Sequence, residues 1–142
     1  MKSNDSKKVY QQKVSVLSNR EVNHGYYRIK LGDLTGFSHA IPGQFVMIGE
    51  SLGSAKLLRR PFSIHRLIPK DDLLCDLELL YRVIGSSTRN LSLIKKGDRI
   101  DVLGPLGTGF KIEGNLPLIS IVAGGIGVAP MVFLAQYLIT KS

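Results

Sequence analysis

From Val9 to Leu103 the apolar residues come in short runs with a period near two, and each run is stopped by a glycine, proline or asparagine turn. Successive side chains of a strand point to opposite faces, so this rhythm demands β-structure with one buried face and leaves little room for helix. Val14 and Val16 sit among polar neighbours, and Asn23-His24-Gly25 supplies a turn. Tyr27, Ile29 and Leu31 alternate with Tyr26, Arg28 and Lys30, which predicts a half-buried strand ended by Gly32-Asp33. Pro42-Gly43 is a second turn before the short run Gln44 to Ile48, and Glu50 to Lys56 reads as a flexible loop. Phe62 to Leu67 forms the next strand, closed by Pro69-Lys70-Asp71-Asp72. Leu73 to Ile84 is the longest strand candidate, with Leu77, Leu79, Tyr81 and Val83 on one face. Beyond Gly85 the pattern switches to a short helix, Thr88 to Ile94, with Lys95-Lys96-Gly97 as its charged end and glycine cap. Arg99 to Leu103 is a further strand. The expectation is a mainly β fold: a loose tail over 1–8, then a six-stranded antiparallel Greek-key barrel over 9–113.

After Gly114-Asn115 the texture changes. Leu118 to Val122 is a continuous apolar run of the kind that sits inside a parallel sheet. Ala123-Gly124-Gly125-Ile126-Gly127-Val128-Ala129-Pro130 and an apolar helix follow it. Residues 114–142 therefore read as the first βα unit of an α/β nucleotide-binding domain. One strand and one helix cannot bury both faces of a doubly wound sheet, so that domain is expected to be incomplete here. No charged residue occurs from Leu116 to Thr140, a length that can span a bilayer, but three glycines and a proline in its middle argue against a lone membrane helix.

The chain has 142 residues, a formal charge of +8 and a single cysteine, Cys75. One cysteine makes no internal disulfide, and an iron–sulfur cluster needs about four ligands. Set in the apolar stretch Leu73 to Leu80, Cys75 reads as packing. With no signal peptide in the sequence, a reducing cytoplasm is the expected setting. The basic residues are scattered doublets, Lys7-Lys8, Arg59-Arg60 and Lys95-Lys96, without interleaved aromatics, so nucleic acid is not the expected partner. His24, His39 and His65 show no metal-ligand spacing, and His65 reads as a partly buried structural histidine.

Four segments can carry chemistry. In Arg59-Arg60-Pro61-Phe62-Ser63-Ile64 an arginine at a strand entry can fork onto a phosphate, Phe62 can lie on a flat ring, and Ser63 can hydrogen-bond it; an edge strand with an exposed arginine explains the run equally well. In Tyr81-Arg82-Val83-Ile84-Gly85-Ser86-Ser87-Thr88 the amides opening the helix, with the hydroxyls of Ser87 and Thr88, make an anion site, although Ser86 or Ser87 as an ordinary helix cap uses the same residues. Gly124, Gly125 and Gly127 to Pro130 allow a dinucleotide to approach the main chain, without matching the GxGxxG spacing. Gly104-Pro105-Leu106-Gly107-Thr108-Gly109-Phe110 reads as a rigid structural loop.

In this order the segments resemble the ferredoxin-reductase-type flavoproteins, and among them the electron-transfer subunits of two-subunit bacterial dihydroorotate dehydrogenases. The resemblance runs from about Val9 to Leu138 and rests on Pro42 to Met47, Arg59 to Ile64, Leu80 to Val83, Gly97 to Phe110 and Ala123 to Pro130. It implies that Arg60, Pro61, Phe62 and Ser63 hold the flavin ring and diphosphate of FAD. Tyr81, Arg82 and Val83 would line its ribityl and adenosine side, and Gly85, Ser87 and Thr88 its diphosphate. Gly124, Gly125, Gly127, Val128, Ala129 and Pro130 would meet NAD(P)H. In such a protein the electrons pass from the nicotinamide cofactor through FAD and a [2Fe–2S] cluster to a catalytic dehydrogenase subunit of pyrimidine biosynthesis. Two departures stand out: Ser87 occupies the place of a second glycine, and the cluster's cysteine ligands are absent from this chain. The other readings are the FAD domain of a different ferredoxin- or hydrogenase-linked reductase, and a non-catalytic binding module that retains the barrel.

Overall fold

The computed structural model describes residues 8–49, 58–114 and 117–141. Its first part holds six strands, β1 (Tyr10–Asn23), β2 (Tyr26–Thr35), β3 (Phe45–Gly49), β4 (Arg60–Pro69), β5 (Leu74–Arg82) and β6 (Arg99–Leu106), with a helix α1 (Ser86–Leu93) between the last two. They close into an antiparallel barrel in the order β1-β2-β5-β4-β3-β6. The path jumps from β2 to β5 and returns through β4 and β3, a Greek-key closure that leaves no open sheet edge. The expected mainly β barrel is thus the observed one. Of the tail over 1–8 only Lys8 is among the described residues, and the loop Glu50 to Lys56 lies outside them.

The period of two decides which side chains fill the barrel. Val14 and Val16 of β1, Ile29 and Leu31 of β2, and Leu77, Leu79 and Tyr81 of β5 are buried together with Val46, Ile64, Ile100 and Val102. Cys75 joins them, and burial pushes its thiol up to about 11. The outer face of β5 is less polar in its exposure than in its chemistry. Asp76 and Glu78 are almost fully covered there, Asp76 by Lys30 at 3.2 Å and Lys70 at 3.4 Å, and Glu78 by Arg66 at 3.8 Å.

Several boundaries differ from the sequence expectation, each for a physical reason. Gly32-Asp33 does not end β2: the pairing with β5 shifts register between Leu31 and Leu34, and Asp33 takes a φ of 58°, so the strand bulges and continues. The longest strand is β1 with 14 residues, and β5 is shorter than the Leu73–Ile84 run, because Val83 and Ile84 leave the ladder to start the turn into α1. Helix α1 begins two residues before Thr88 and is not closed by basic charge. Asn19 of β1 does that instead, donating from Nδ2 to the carbonyls of Leu91 at 2.8 Å and Ile94 at 3.0 Å.

Leu118 to Val122 forms no strand. A strand needs neighbours for its backbone groups and both faces, and here Leu118 and Val122 are 83% and 92% exposed. The chain then makes a 3₁₀ turn (Gly125–Val128) and a helix α2 (Met131–Lys141) that packs on β4 with Phe133 buried. Among the described residues no helix is long and apolar enough to cross a membrane.

Of the run read as a rigid loop, Gly104 to Leu106 instead complete β6, pairing with β1 and β3, and only Gly107 to Phe110 leave the barrel as a loop. Gln44 is buried, accepts from the Ile41 amide at 2.9 Å and donates to the Gly107 carbonyl at 2.9 Å, while the Phe110 amide donates to the Pro42 carbonyl at 2.8 Å.

Candidate functional site

Three walls meet around a cleft of about 820 Å³ outside the barrel. The first is the start of β4, Arg60 to Ser63; the second is the end of β5 with the turn into α1, Leu80 to Arg82 and Ile84 to Thr88; the third is Ile126, Gly127, Ala129 and Pro130. Segments separated by up to 70 residues in the chain are brought together because β4 and β5 are neighbours and α2 lies across β4.

The cleft has a charge of one sign. Arg60 and Arg82 line it, and among the described residues no aspartate or glutamate does. The Arg60 Nε donates to the Ser87 hydroxyl at 3.4 Å, and no described carboxylate pairs with this arginine. Arg82 stands over the Tyr26 ring at 5.6 Å, which holds the guanidinium without neutralising it. The first amides of α1 point out of the helix without intrahelical partners. Two cations and a helix N-terminus around an acid-free mouth are suited to phosphate oxygens. Pro61, Phe62, Leu80, Ile84, Ile126 and Pro130 supply apolar wall to the same space.

Individual side chains have two duties here. Phe62 pairs in register with buried Val46 and meets Tyr81 edge-on at 5.9 Å, so its ring is part core and part cleft. Tyr81 is itself buried, stacks on Tyr27 at 5.7 Å and donates its hydroxyl to Asn19 Oδ1 at 3.0 Å. Burial raises its phenol well above the usual range, against the opposing pull of that hydrogen bond. Among the described residues the Ser63 hydroxyl has no hydrogen-bond partner.

Of the residues read from sequence, Arg60, Pro61, Phe62, Ser63, Tyr81, Arg82, Gly85, Ser87, Thr88, Gly127, Ala129 and Pro130 come together in this cleft. Val83, Gly124, Gly125 and Val128 do not line it. The cap of α1 is also not the expected one. Neither Ser86 nor Ser87 makes it: Thr88 reaches back, its Oγ1 accepting from the amides of Ile84 at 2.9 Å and Gly85 at 3.2 Å. That commits the Thr88 hydroxyl to the turn and leaves Ser87 facing Arg60. Gly125 has a φ of 55°, where a side chain is disfavoured, and no atom lies within 4 Å of where its Cβ would be. Leu80, Ile84, Ser86 and Ile126 also line the cleft; the sequence reading holds them only as members of longer runs, with Ser86 as a helix-cap candidate, and gives none of them a place against a ligand.

No protein-family model matches the chain. It is 40% identical over 131 residues to the electron transfer subunit of dihydroorotate dehydrogenase B (NAD(+)) from Desulforamulus reducens, covering 92% of this chain and 48% of that protein. The corresponding subunit of Bacillus cereus strain Q1 is 38% identical over 134 residues, covering 92% and 50%. The chain spans about half the length of the curated relatives it matches. Among solved structures, the cytochrome P450 reductase GcoB of Amycolatopsis superposes with a TM-score of 0.74 at 23% identity, over 96% of this chain and 41% of that one. The ferredoxin reductase of carbazole 1,9a-dioxygenase gives 0.74 at 21%, over 94% and 41%. Over 92% of its own length the chain is thus similar to electron transfer subunits of dihydroorotate dehydrogenase B, and its barrel has the fold of the two reductases.

Proposed function

We propose that this chain is the FAD-holding part of an NAD(P)H-dependent electron-transfer subunit that serves a catalytic dehydrogenase of the dihydroorotate dehydrogenase kind. The observation that carries the reading is the acid-free cleft in which Arg60, Arg82 and the N-terminus of α1 face apolar wall. FAD combines a diphosphate with a large flat ring, and this donor set fits both.

Arg60 and the first amides of α1 would hold the diphosphate, with Ser87 steering the Arg60 guanidinium. Ser63 would donate its hydroxyl to the ring edge, and Phe62 and Pro61 would limit how the ring tilts. Gly127, Ala129 and Pro130 would form the face on which a nicotinamide approaches, with Ile126 as apolar wall beside it. FAD bound there would supply the chemistry, taking up a hydride and releasing electrons to a partner. A [2Fe–2S] cluster does not fit this chain, whose only cysteine lies inside the barrel.

The test is the visible absorption spectrum of the purified chain before and after addition of FAD and removal of the excess. Retained flavin bands are the expected result, and a colourless protein that takes up no FAD would overturn the reading. Arg60→Ala removes a charge-assisted contact of roughly 1.5–3 kcal/mol, so its FAD Kd should rise roughly ten- to a hundredfold; an unchanged Kd would remove Arg60 from the site.

A further inference from the structure

We propose that His65 is a positioning residue for the cleft: its Nδ1–H, donated to the Ala129 carbonyl, fixes the Gly127–Pro130 wall against β4. The inference rests on the reading of the cleft as a flavin site, but its physical core does not depend on it.

Ala129 is 3% exposed, and its carbonyl lies just outside α2. The first amide to close that helix, Leu134, donates to Pro130 at 3.2 Å, so the helix ladder offers nothing to the Ala129 oxygen. Pro130 has no N–H to give. A buried carbonyl requires a donor, and His65, itself 7% exposed, brings Nδ1 to 2.7 Å across 64 residues of sequence. A carbonyl oxygen only accepts, so Nδ1 carries the proton, and the tautomer is fixed by the contact.

Beside this bond the segment is placed by the contact of its 3₁₀ turn with β5, and its own side chains fix it little. No atom lies within 4 Å of the Cβ positions of Gly124, Gly125 or Gly127, and Ile126 and Val128 are 42% and 40% exposed. Phe133 anchors α2 on the barrel by apolar contact, which is non-directional. The His65 bond supplies direction. It stands on β4 two residues beyond Ser63, so the strand that presents Ser63 to the cleft also sets the opposite wall.

The experiment compares His65→Leu, His65→Asn and His65→Gln in the full chain. An asparagine amide can take the place of Nδ1, whereas a glutamine amide reaches the place of Nε2. In His65→Leu the Leu134 amide should exchange roughly five- to tenfold faster and the FAD Kd should rise by a similar factor. His65→Asn should restore both and His65→Gln neither, and the ¹⁵N spectrum of the parent chain should show His65 in its Nδ1–H form. Unchanged Leu134 exchange in His65→Leu, equal rescue by glutamine, or an Nε2–H tautomer would each overturn the proposal. If the parent chain takes up no FAD, the flavin reading fails while exchange and tautomer still decide the role of His65; should His65→Leu not fold, the asparagine–glutamine contrast decides it.

Discussion

Asn19 ties three elements together and offers the sharpest test of how the barrel supports the cleft. Its Nδ2 donates to the Leu91 carbonyl at 2.8 Å and the Ile94 carbonyl at 3.0 Å, and its Oδ1 accepts from the Tyr81 hydroxyl at 3.0 Å. Leu91, Ile94 and Tyr81 are all buried, so none of the three partners finds water easily once Asn19 is lost. A neutral hydrogen bond contributes about 1 kcal/mol net, and leaving a buried partner unsatisfied adds to the loss. Asn19→Ala should therefore cost about 2–4 kcal/mol, discounted at the low end because Asn19 itself is only part-buried. Asn19→Asp is the more telling variant. It is nearly isosteric and still accepts from Tyr81, but it turns a carboxylate onto two carbonyl oxygens, of which Leu91's keeps the Ile94 amide at 3.2 Å and Ile94's loses its donor. Its loss should equal or exceed that of alanine. Tyr81→Phe removes one bond alone and should cost about 0.5–1.5 kcal/mol. Urea unfolding of the three variants, read at constant m, measures these values, and the Asn19→Ala/Tyr81→Phe double mutant gives the coupling. An Asn19→Asp protein within about 0.5 kcal/mol of the parent would refute the argument, because it would mean that the end of α1 needs no donor.

Two further outcomes follow from buried groups. Burial alone would raise the Asp76 carboxyl, but the Asp33 amide and Lys30, helped by Lys70, hold it below the usual carboxylate range. A group depressed in the folded state stabilises above its unfolded value of about 3.9 and loses that contribution as pH falls through the folded value. Asp76→Asn should thus cost about 1–2 kcal/mol at neutral pH, with the gap to the parent closing below about pH 4 in urea titrations; a gap constant down to pH 2 or so would exclude this origin. The Cys75 thiol, pushed up to about 11 by burial and donating weakly to the Leu34 carbonyl at 3.8 Å, should react with a disulfide reagent only as fast as the barrel opens. Modification of the native chain at the rate of a free thiol would contradict its placement.

The barrel was legible because strand periodicity is a local signal: Ile29 and Leu31, or Leu77 and Leu79, announce their buried face from their own neighbours. What was not legible depends on partners distant in sequence. The stretch past Gly32-Asp33 continues as strand only because β5 offers Cys75 and Leu74 opposite Leu34 and Thr35. The end of α1 looked like a task for Lys95, Lys96 and Gly97, and a residue 72 positions away performs it. Asn19 carries no mark in the sequence, since an asparagine in a strand is read as a neutral outward polar residue.

The same distinction explains the site. That Arg60 to Ser63 converge with Tyr81, Arg82, Gly85, Ser87 and Thr88 was legible because the elements that carry them are fixed by local pattern and lie on adjacent strands. The glycine segment is different. Its apolar approach, Leu118 to Val122, has the composition of a sheet strand, but composition states only that a segment can be buried, not that neighbouring strands stand ready. Among the described residues none lies beside it, and the segment stays outside the barrel with Leu118 and Val122 exposed. The chain settles against the fold where β4 offers a specific donor and an apolar seat, at Ala129 and Phe133, and where the 3₁₀ turn meets β5. Gly127, Ala129 and Pro130 therefore reach the cleft while Gly124, Gly125 and Val128 do not. The third wall thus owes its position to contacts made by the barrel, and His65 supplies a polar one.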